Sequence, residues 1–189
     1  MWRFVLVGLL GLLAYRLVPH LADKPVNLVY LLSEMMVIVM IAFRRRANEI
    51  SRRSADWVIG FAGTLLPLMV VRSDGAALVS GSVLLFLGFL IHVGAKLSPR
   101  RRFGVVAANR GVMTGGLYAV VRHPMYLGYL LTSLGFLLTN PARRNVVVYA
   151  VWMACQLYWV RAEERVLFTD AAYTSFARRV PYSLVPFVY

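Results

Sequence analysis

Cysteine is nearly absent from this sequence: its 189 residues include one, Cys155, which lies inside an apolar run. A single cysteine excludes an intrachain disulfide framework, and no cysteine and histidine spacing typical of a zinc site occurs. We interpret Cys155 as a small apolar side chain that packs among others. Also absent are a Walker loop, a G-x-G-x-x-G turn and a G-x-S-x-G elbow. Soluble folds that depend on those motifs are therefore not expected.

Acidic residues are also scarce, with 8 Asp and Glu against 21 Lys and Arg, which gives a formal net charge of +13. Such an excess is common in nucleic-acid-binding proteins, but no RNA- or DNA-binding motif accompanies it here. The arginines instead cluster between apolar runs, as in loops that face anionic lipid headgroups. The charge therefore predicts membrane lipids as partners and no nucleic acid.

Apolar residues, in contrast, make up 60% of the chain and raise its mean hydropathy to +0.67. They concentrate in six runs, several of which are short for a hydrocarbon core of about 30 Å. We predict an all-α protein, a polytopic bundle of five to six transmembrane helices in which the last two runs form a hairpin. The six runs are Trp2–Val18, Val26–Phe43, Trp57–Val71, Ala76–Leu97, Met125–Leu138 and Val146–Val160.

The length predicts a single domain, residues 1–189. Within it, N-terminal helices occupy residues 1–97, and residues 98–189 contain the larger polar segments. The tail after Val160 is expected to continue the last helix until Pro181 stops it. We expect any water-borne ligand to bind between helix ends and cytoplasmic loops of this C-terminal half.

The distribution of arginine predicts how the chain is oriented. The stretches Arg44–Arg53 and Ser98–Gly104 are rich in arginine and are expected to face the cytoplasm, which places both termini on that side. Two arginines in Asn140–Asn145 conflict with this assignment, unless the final hairpin does not fully cross. Arginine-rich loops without an organelle signal favour an integral protein of a prokaryotic inner membrane.

Three polar side chains interrupt the apolar runs. Glu34 lies near the middle of the second run, where a carboxylate is costly. It is either a functional group or a structural partner, for example of Arg16. His92 and Lys96 lie four residues apart on the fourth run and share one helix face. They are either interface anchors or part of a polar pocket that opens to the cytoplasm.

The stretch "GGLYAVVRHPMYLGY", Gly115 to Tyr129, concentrates polar chemistry at the start of the fifth run. Pro124 suits the first turn of a helix, so Arg122 and His123 are expected to flank a helix N-terminus. Free amides and positive potential at such an end favour an anionic group. Tyr126, one turn further on, is placed to stack on a flat ring. The alternative is a basic anchor at the membrane interface.

The stretch "RAEER" follows the sixth run and contains adjacent glutamates, Glu163 and Glu164. Adjacent helical positions point about 100° apart, so we expect one carboxylate to face a pocket and the other to face water. A carboxylate is a suitable acceptor for a ribose diol. The alternative is an interfacial helix in which both pair with Arg161 and Arg165.

Together, "GGLYAVVRHPMYLGYLLTSLG" and the later "EERVLFTDAAYTSFARRVPYSLVP" resemble the isoprenylcysteine carboxyl methyltransferase family. The resemblance covers about the C-terminal half, and Phe176 stands where that family usually has tyrosine. The first three helices match nothing beyond their apolar character. The matching positions are Gly116, Tyr118, Arg122, His123, Pro124, Tyr126 and Gly128 in the first block, and Glu163, Glu164, Leu167, Phe168, Tyr173, Val180 and Pro181 in the second.

The resemblance implies an integral-membrane methyltransferase that uses S-adenosylmethionine, with the cofactor arriving from the cytoplasm and a lipophilic acceptor arriving from the bilayer. It implies catalytic roles for Arg122, Glu164 and Arg161, although Arg161 lies closer to the glutamate pair than the family's arginine does. The residues that it implies for cofactor binding are Arg110, Gly111, Val112, Met113, Tyr118, His123, Pro124, Met125, Tyr126 and Glu163.

Two other functions are compatible with parts of the pattern. Membrane sterol or enone reductases that use NADPH share a similar R-H-P-x-Y block, but there an acidic residue usually follows the glycine, and here Tyr129 follows Gly128. A non-enzymatic relative is the second alternative. The methyl acceptor is also open: a prenylated cysteine carboxylate, a small thiol, a lipid amine or an isoprenoid-like lipid. The short first half favours a small lipophilic acceptor.

Overall fold

The computed structural model describes residues 2–42, 53–74, 78–97 and 114–188, and the regular secondary structure in this part of the chain is all helical. The all-α expectation is thereby confirmed. Short 3₁₀ turns lie at Val18–His20, Leu66–Met69 and Gly116–Ala119. The helices are α1 (Trp2–Leu17), α2 (Val26–Ala42), α3 (Ser54–Leu65), α4 (Val79–Leu97), α5 (Pro124–Thr139), α6 (Arg143–Leu167) and α7 (Ala171–Arg179).

Each of the six apolar runs contains one helix, but two helix ends differ from the prediction. In the third run the α-helix ends at Leu65, and the chain continues as the 3₁₀ turn Leu66–Met69. Pro67 in that turn has no N–H group for an α-helical hydrogen bond, which accounts for the change. The prediction that one continuous helix runs from the sixth apolar run towards Pro181 was wrong, since α6 ends at Leu167.

The tail forms a separate helix because Asp170 caps it. The carboxylate oxygen Oδ1 of Asp170 accepts a hydrogen bond of 2.8 Å from the backbone N–H of Ala172. This satisfies one of the free amides at the start of α7 and competes with continuation of α6. Helix α7 then ends at Arg179, before Pro181, as expected.

Much of the outer surface of the helices is apolar. On α4, for example, Val83, Phe86 and Leu90 are each close to half exposed. Exposed leucine, valine or methionine side chains also occur on α1, α2, α3, α5 and α6. Among the helices of the described ranges, none is both long enough and apolar enough to cross a membrane.

Helices α4 and α5 approach each other closely enough for their backbones to touch. A Cβ atom at Gly128 would lie 2.5 Å from the Cβ of His92. One at Gly135 would overlap the backbone N of Leu85, and one at Gly88 would overlap that of Thr132. Small residues permit such close helix pairs, including those in membranes. The contact fixes α5 against α4, and with it the polar N-terminal end of α5.

Aromatic side chains fill the space between α2, α5 and α6. The rings of Tyr30 and Phe136 lie 4.2 Å apart, centroid to centroid. The Tyr149 hydroxyl donates to the Tyr30 hydroxyl at 3.0 Å, and Tyr30 donates to the Pro67 carbonyl at 2.9 Å. Because these two buried hydroxyls are paired, neither of them carries the cost of an unsatisfied polar group.

Buried amides hold together the end of the bundle where α5 finishes. Asn145 donates to the Val71 carbonyl at 2.8 Å and accepts from the Val71 N–H at 2.9 Å. Asn140 donates to the side chain of Asn27 at 3.0 Å, and Lys24 donates to the carbonyl of Thr139 at 2.7 Å. The polar residues of "NPARRN" therefore include two asparagines with structural partners. The site residues lie at the other end of α5.

Candidate active site

The site begins at the N-terminus of α5, where Pro124 is the first helical residue, as the sequence predicts. The residues just before it are paired with the segment that follows α7. The backbone N–H of Arg122 donates to the Tyr182 carbonyl at 2.9 Å, and that of His123 donates to the Ser183 carbonyl at 2.9 Å. Two blocks that are distant in sequence are thus joined at one helix end.

Arg122 connects three elements through its guanidinium group. Its Nε and Nη2 each lie 2.8 Å from Oε1 of Glu164, at the end of α6. Its Nη1 donates to the carbonyl oxygens of Val180 at 3.1 Å and Pro181 at 2.6 Å. The sequence predicted that Arg122 helps to bind an anionic ligand. In the structure its guanidinium group is instead paired with the carboxylate of Glu164.

Glu163 and Glu164 both reach the imidazole ring of His123. Nε2 of His123 lies 3.3 Å from Oε1 of Glu164, and Nδ1 lies 3.9 Å from Oε2 of Glu163. The glutamate side chains are 22% and 14% exposed, respectively. The prediction that one of them faces water was wrong. The two glutamate side chains point in different directions from α6, but each reaches a different nitrogen of the His123 ring.

Tyr126 lies one turn inside α5 and is buried. Its hydroxyl donates to Oε2 of Glu163 at 2.7 Å, and its ring lies 5.7 Å from that of His123. Trp159 and Leu184 pack beside Tyr126 in a small apolar cluster. The Glu163 carboxylate is therefore held in place by a buried phenol while part of it remains accessible.

The pKa of Glu164 is lowered to about 2. Burial of the carboxyl group acts to raise it, but hydrogen bonding and charge from His123 and Arg122 outweigh that effect. Ser183 also donates to Oε1 of Glu164, at 3.0 Å. Burial and the neighbouring Glu164 charge raise the pKa of Tyr173, whose hydroxyl lies 3.5 Å from the same oxygen. Glu164 is therefore ionised and Tyr173 protonated at neutral pH.

Tyr118 belongs to the 3₁₀ turn that precedes α5. Gly116 starts this turn with a φ of 62°, which a glycine adopts without strain. The Tyr118 hydroxyl donates to the Ala95 carbonyl at 3.4 Å, and its ring packs in a buried cluster with Tyr173 and Phe176. Met125, half buried, also contacts this cluster. Phe176, the departure from the family pattern, is therefore an apolar packing residue.

Not all of the residues expected at the site lie within it. Arg161 is exposed on α6. The alternative in which the glutamates pair with Arg161 and Arg165 is not what the structure has, since Arg165 lies 3.6 Å from Asp56. Arg110, Gly111, Val112 and Met113 lie outside the described residues, as does the side chain of Lys96.

Sequence reasoning missed the contribution of the extreme C-terminal segment. Its backbone carbonyls, at Tyr182 and Ser183, accept from the N–H groups of Arg122 and His123 in the RHP block, residues 122–124. The Ser183 hydroxyl donates to Glu164. The signal in the sequence was Pro181, which was expected to stop the last helix but did not indicate where the chain goes next.

A pocket lies beside the site, between α2, α3, α5 and α6. About 630 Å³ of unoccupied space lies between its walls, and part of that space is open solvent. Glu34, 8% exposed, lines it, together with Tyr126. Nη1 of Arg16 is buried without a hydrogen-bond partner in the described part of the chain, so this atom does not bind Glu34. The other lining residues are Ile59, Gly60, Gly63, Thr64, Pro67, Tyr129, Thr132, Ser133, Trp152, Gln156 and Trp159.

His92 lies next to this pocket but does not line it. It is fully buried, with its ring nitrogens 3.3 and 3.4 Å from the Ser33 hydroxyl. Its ring lies 5.3 Å from that of Tyr129, and its Cβ faces Gly128. These contacts make His92 a packed polar residue between α2, α4 and α5, so the expectation of an interface anchor was wrong for it.

Comparison with known proteins supports the resemblance carried by the two motifs. Residues 75–175 match the family model described as phospholipid methyltransferase, a range that contains both the RHP block and the glutamate pair. Protein-S-isoprenylcysteine O-methyltransferase B from Arabidopsis thaliana is 32% identical, over 57% of this chain and 58% of that protein. This chain therefore aligns with less than two thirds of that relative.

The matched range is more than half of the chain, and it includes the residues that the structure brings together around His123. The family inferred from the motifs is thus confirmed. The chain belongs to the phospholipid methyltransferase family and is similar to an isoprenylcysteine O-methyltransferase.

Proposed function

We propose that this protein is an S-adenosylmethionine-dependent methyltransferase that acts on a lipophilic acceptor at the cytoplasmic face of a membrane. The observation that carries the proposal is the cluster in which His123 and Tyr126 from α5 meet Glu163 and Glu164 from α6. The cluster connects the two sequence blocks by direct contacts, and it keeps Glu163 accessible.

The chemistry of these residues fits the proposed cofactor. S-adenosylmethionine contains a ribose diol, an adenine ring and a sulfonium cation, and when bound it supplies an electrophilic methyl group. The Glu163 carboxylate suits the diol, and buried tyrosines offer aromatic faces to a ring or a cation. The cofactor-binding set stays as the resemblance implies: Arg110, Gly111, Val112, Met113, Tyr118, His123, Pro124, Met125, Tyr126 and Glu163.

Arg122 and Glu164 act in this proposal as positioning residues. Their mutual ion pair and the contacts of Arg122 with Val180 and Pro181 hold the C-terminal segment against α5. That arrangement fixes His123 and the adjoining Glu163. Methyl transfer depends on orientation and on exclusion of water more than on acid–base groups, so rigid support of this kind contributes to catalysis. Arg161 is exposed on α6 and remains a proposed contact for the acceptor.

The proposed location is a prokaryotic inner membrane, in which the protein is embedded with both termini in the cytoplasm. Exposed apolar side chains on α1 to α6 support contact with lipid, since soluble monomers rarely expose large apolar surfaces. A cofactor that arrives from water and an acceptor that arrives from lipid would meet at the N-terminus of α5. The name of the Arabidopsis relative refers to isoprenylcysteine, which supports an acceptor with an apolar chain.

The test is calorimetry on detergent-purified protein, titrated with S-adenosylhomocysteine and, separately, with NADPH. Saturable binding of S-adenosylhomocysteine alone is expected. Binding of NADPH alone would assign the RHP block to hydride transfer instead, and binding of neither would favour a non-enzymatic role. Cys155→Ala is the matched control and should titrate like the wild type, because Cys155 lies about two helical turns before Glu163 on α6.

A further inference from the structure

A second cavity, the outer groove, runs between α5 and α6 on the surface of the bundle. About 560 Å³ of unoccupied space lies between its walls, and part of that space is open to the surroundings. Leu134 is 41% exposed and Val146 is 51% exposed, so the groove is accessible from outside. Its apolar lining residues recur every three or four positions: Leu130, Leu134 and Leu137 on α5, and Val146, Ala150 and Met153 on α6.

The walls of the outer groove fit a hydrocarbon chain. Two of its polar lining groups have partners elsewhere, since the Tyr149 hydroxyl donates to Tyr30 at 3.0 Å and the Trp152 indole N–H donates to the Gly63 carbonyl at 3.1 Å. Ala150 has a short side chain in the middle of the α6 wall, which leaves width between the helices. The groove therefore offers many carbon contacts and few hydrogen bonds to a ligand.

Two arginines lie where the groove meets the start of α6. Arg143 is the first residue of α6 and precedes Val146 by three positions and Ala150 by seven, so it shares the helix face that lines the groove. Arg144 follows it directly. Both arginines are exposed, and neither forms an ion pair with another residue of the described ranges. They are also the two arginines that conflict with the predicted orientation of the chain.

The surroundings leave the charge of these arginines uncompensated. No acidic residue occurs in the first turn of α6, where the helix dipole makes cations unfavourable. Asp23 and Asp74, at the same end of the bundle, both lie against Arg72, at 3.3 and 3.0 Å. An anion from outside the protein would therefore offset the charge of Arg143 and Arg144.

We propose that the outer groove binds an anionic phospholipid, with its phosphate at Arg143 and Arg144 and one acyl chain between α5 and α6. Guanidinium groups bind phosphate through paired N–H donors. A zwitterionic phospholipid has its own cation beside the phosphate, which opposes binding next to two arginines. The groove thus selects for lipids with a net negative headgroup.

This lipid is distinct from the methyl acceptor of the proposed function. Its headgroup would lie at the end of α5 away from His123, and the 16 residues of α5 extend over about 24 Å. No reacting group of the proposed active site lies at that end. The bound lipid would instead hold α5 and α6 together and anchor the end of their hairpin in the headgroup layer.

The test is native mass spectrometry on the lipid-depleted full chain in detergent. The protein is titrated with phosphatidylglycerol and, separately, with phosphatidylcholine that has the same acyl chains. We expect one phosphatidylglycerol to be retained, with half-saturation at a concentration at least about tenfold below that of phosphatidylcholine. Equal retention of the two lipids would reduce the groove to a surface for bulk lipid and overturn the proposal.

A pair of charge variants locates the headgroup. Arg143→Gln/Arg144→Gln should lose the preference for phosphatidylglycerol. Arg178→Gln/Arg179→Gln is the matched control, because it removes two adjacent exposed arginines from α7, and it should keep the preference. A preference that persists in the first variant, or that disappears equally in both, would show that the site is not at the start of α6.

A pair of groove variants locates the acyl chain. Ala150→Phe should fill the outer groove and raise the half-saturation concentration of phosphatidylglycerol at least about fivefold. Val151→Phe, at the next position on α6, is the matched control, since Val151 is exposed but does not line the groove. Unchanged retention in Ala150→Phe would reject the groove as the binding place. If the variant without Arg143 and Arg144 does not fold, the wild-type comparison and the groove variants still decide.

Discussion

His123 places its two ring nitrogens against two adjacent glutamates, with Nε2 3.3 Å from Glu164 and Nδ1 3.9 Å from Glu163. The two carboxylates differ in their other partners. Glu164 is bound by Arg122 and Ser183, whereas Glu163 accepts from Tyr126 and is the more exposed of the two. Glu164 therefore holds the elements of the site together, whereas Glu163 remains accessible to a ligand.

Replacing Glu163 should remove cofactor binding without unfolding the protein. In Glu163→Ala the carboxylate proposed for the ribose diol is lost, and hydrogen bonds to charged groups contribute about 1.5–3 kcal/mol. We expect the affinity for S-adenosylhomocysteine to fall by at least about tenfold in calorimetry. The thermal midpoint in detergent should fall modestly while the protein stays folded, because the buried Tyr126 hydroxyl loses its acceptor. Normal affinity in Glu163→Ala would remove Glu163 from the cofactor site.

Replacing Arg122 should instead destabilise the protein. Arg122→Leu leaves the Glu164 carboxylate, 14% exposed, without its main cation. Breaking a buried ion pair from one side costs about 3–5 kcal/mol, so a clearly lower thermal midpoint is expected. The double variant Arg122→Leu/Glu164→Gln should recover part of that loss. Additive losses in the double variant would show that the two side chains do not act as a pair.

The ion pair also predicts how stability depends on pH. Since the pKa of Glu164 falls from an ordinary 4.5 to about 2 on folding, the carboxylate stabilises the folded state above about pH 4.5. That contribution, about 3 kcal/mol at most, is lost as the pH falls through 2. Thermal midpoints of wild type and Glu164→Gln should therefore differ at pH 6 and converge towards pH 2. A constant difference over that range would contradict the assignment.

The helices and the location of the site were predictable because apolar runs and a proline leave strong local signals. Pro124 marks the start of α5 in the sequence, and the structure has it there. The meeting of Glu163 and Glu164 on one imidazole was not predictable, since it depends on where α6 passes His123. Helical periodicity gives the directions of side chains on one helix and contains no information on the position of the next.

The partners of Arg122 were hidden from the sequence for a similar reason. The carbonyls of Val180 and Pro181 accept its hydrogen bonds, and backbone acceptors are the same in every residue type. The break between α6 and α7 did have a local signal, because Asp170 is a strong helix N-cap residue. The apolar positions Leu167 and Tyr173 on either side of it favour a continuous helix instead.

The close contact of α4 and α5 predicts that Gly128 cannot carry a side chain. In Gly128→Ala the new Cβ would lie 2.5 Å from the Cβ of His92, so the helices must separate or His92 must shift. Overpacking of this kind costs about 1–3 kcal/mol, and it would also displace the N-terminus of α5. We expect a lower thermal midpoint and weaker binding of S-adenosylhomocysteine. Gly63→Ala is the matched control, because its Cβ would make only ordinary contacts, and it should retain both properties. Equal behaviour of the two variants would show that α4 and α5 do not need the backbone contact at Gly128.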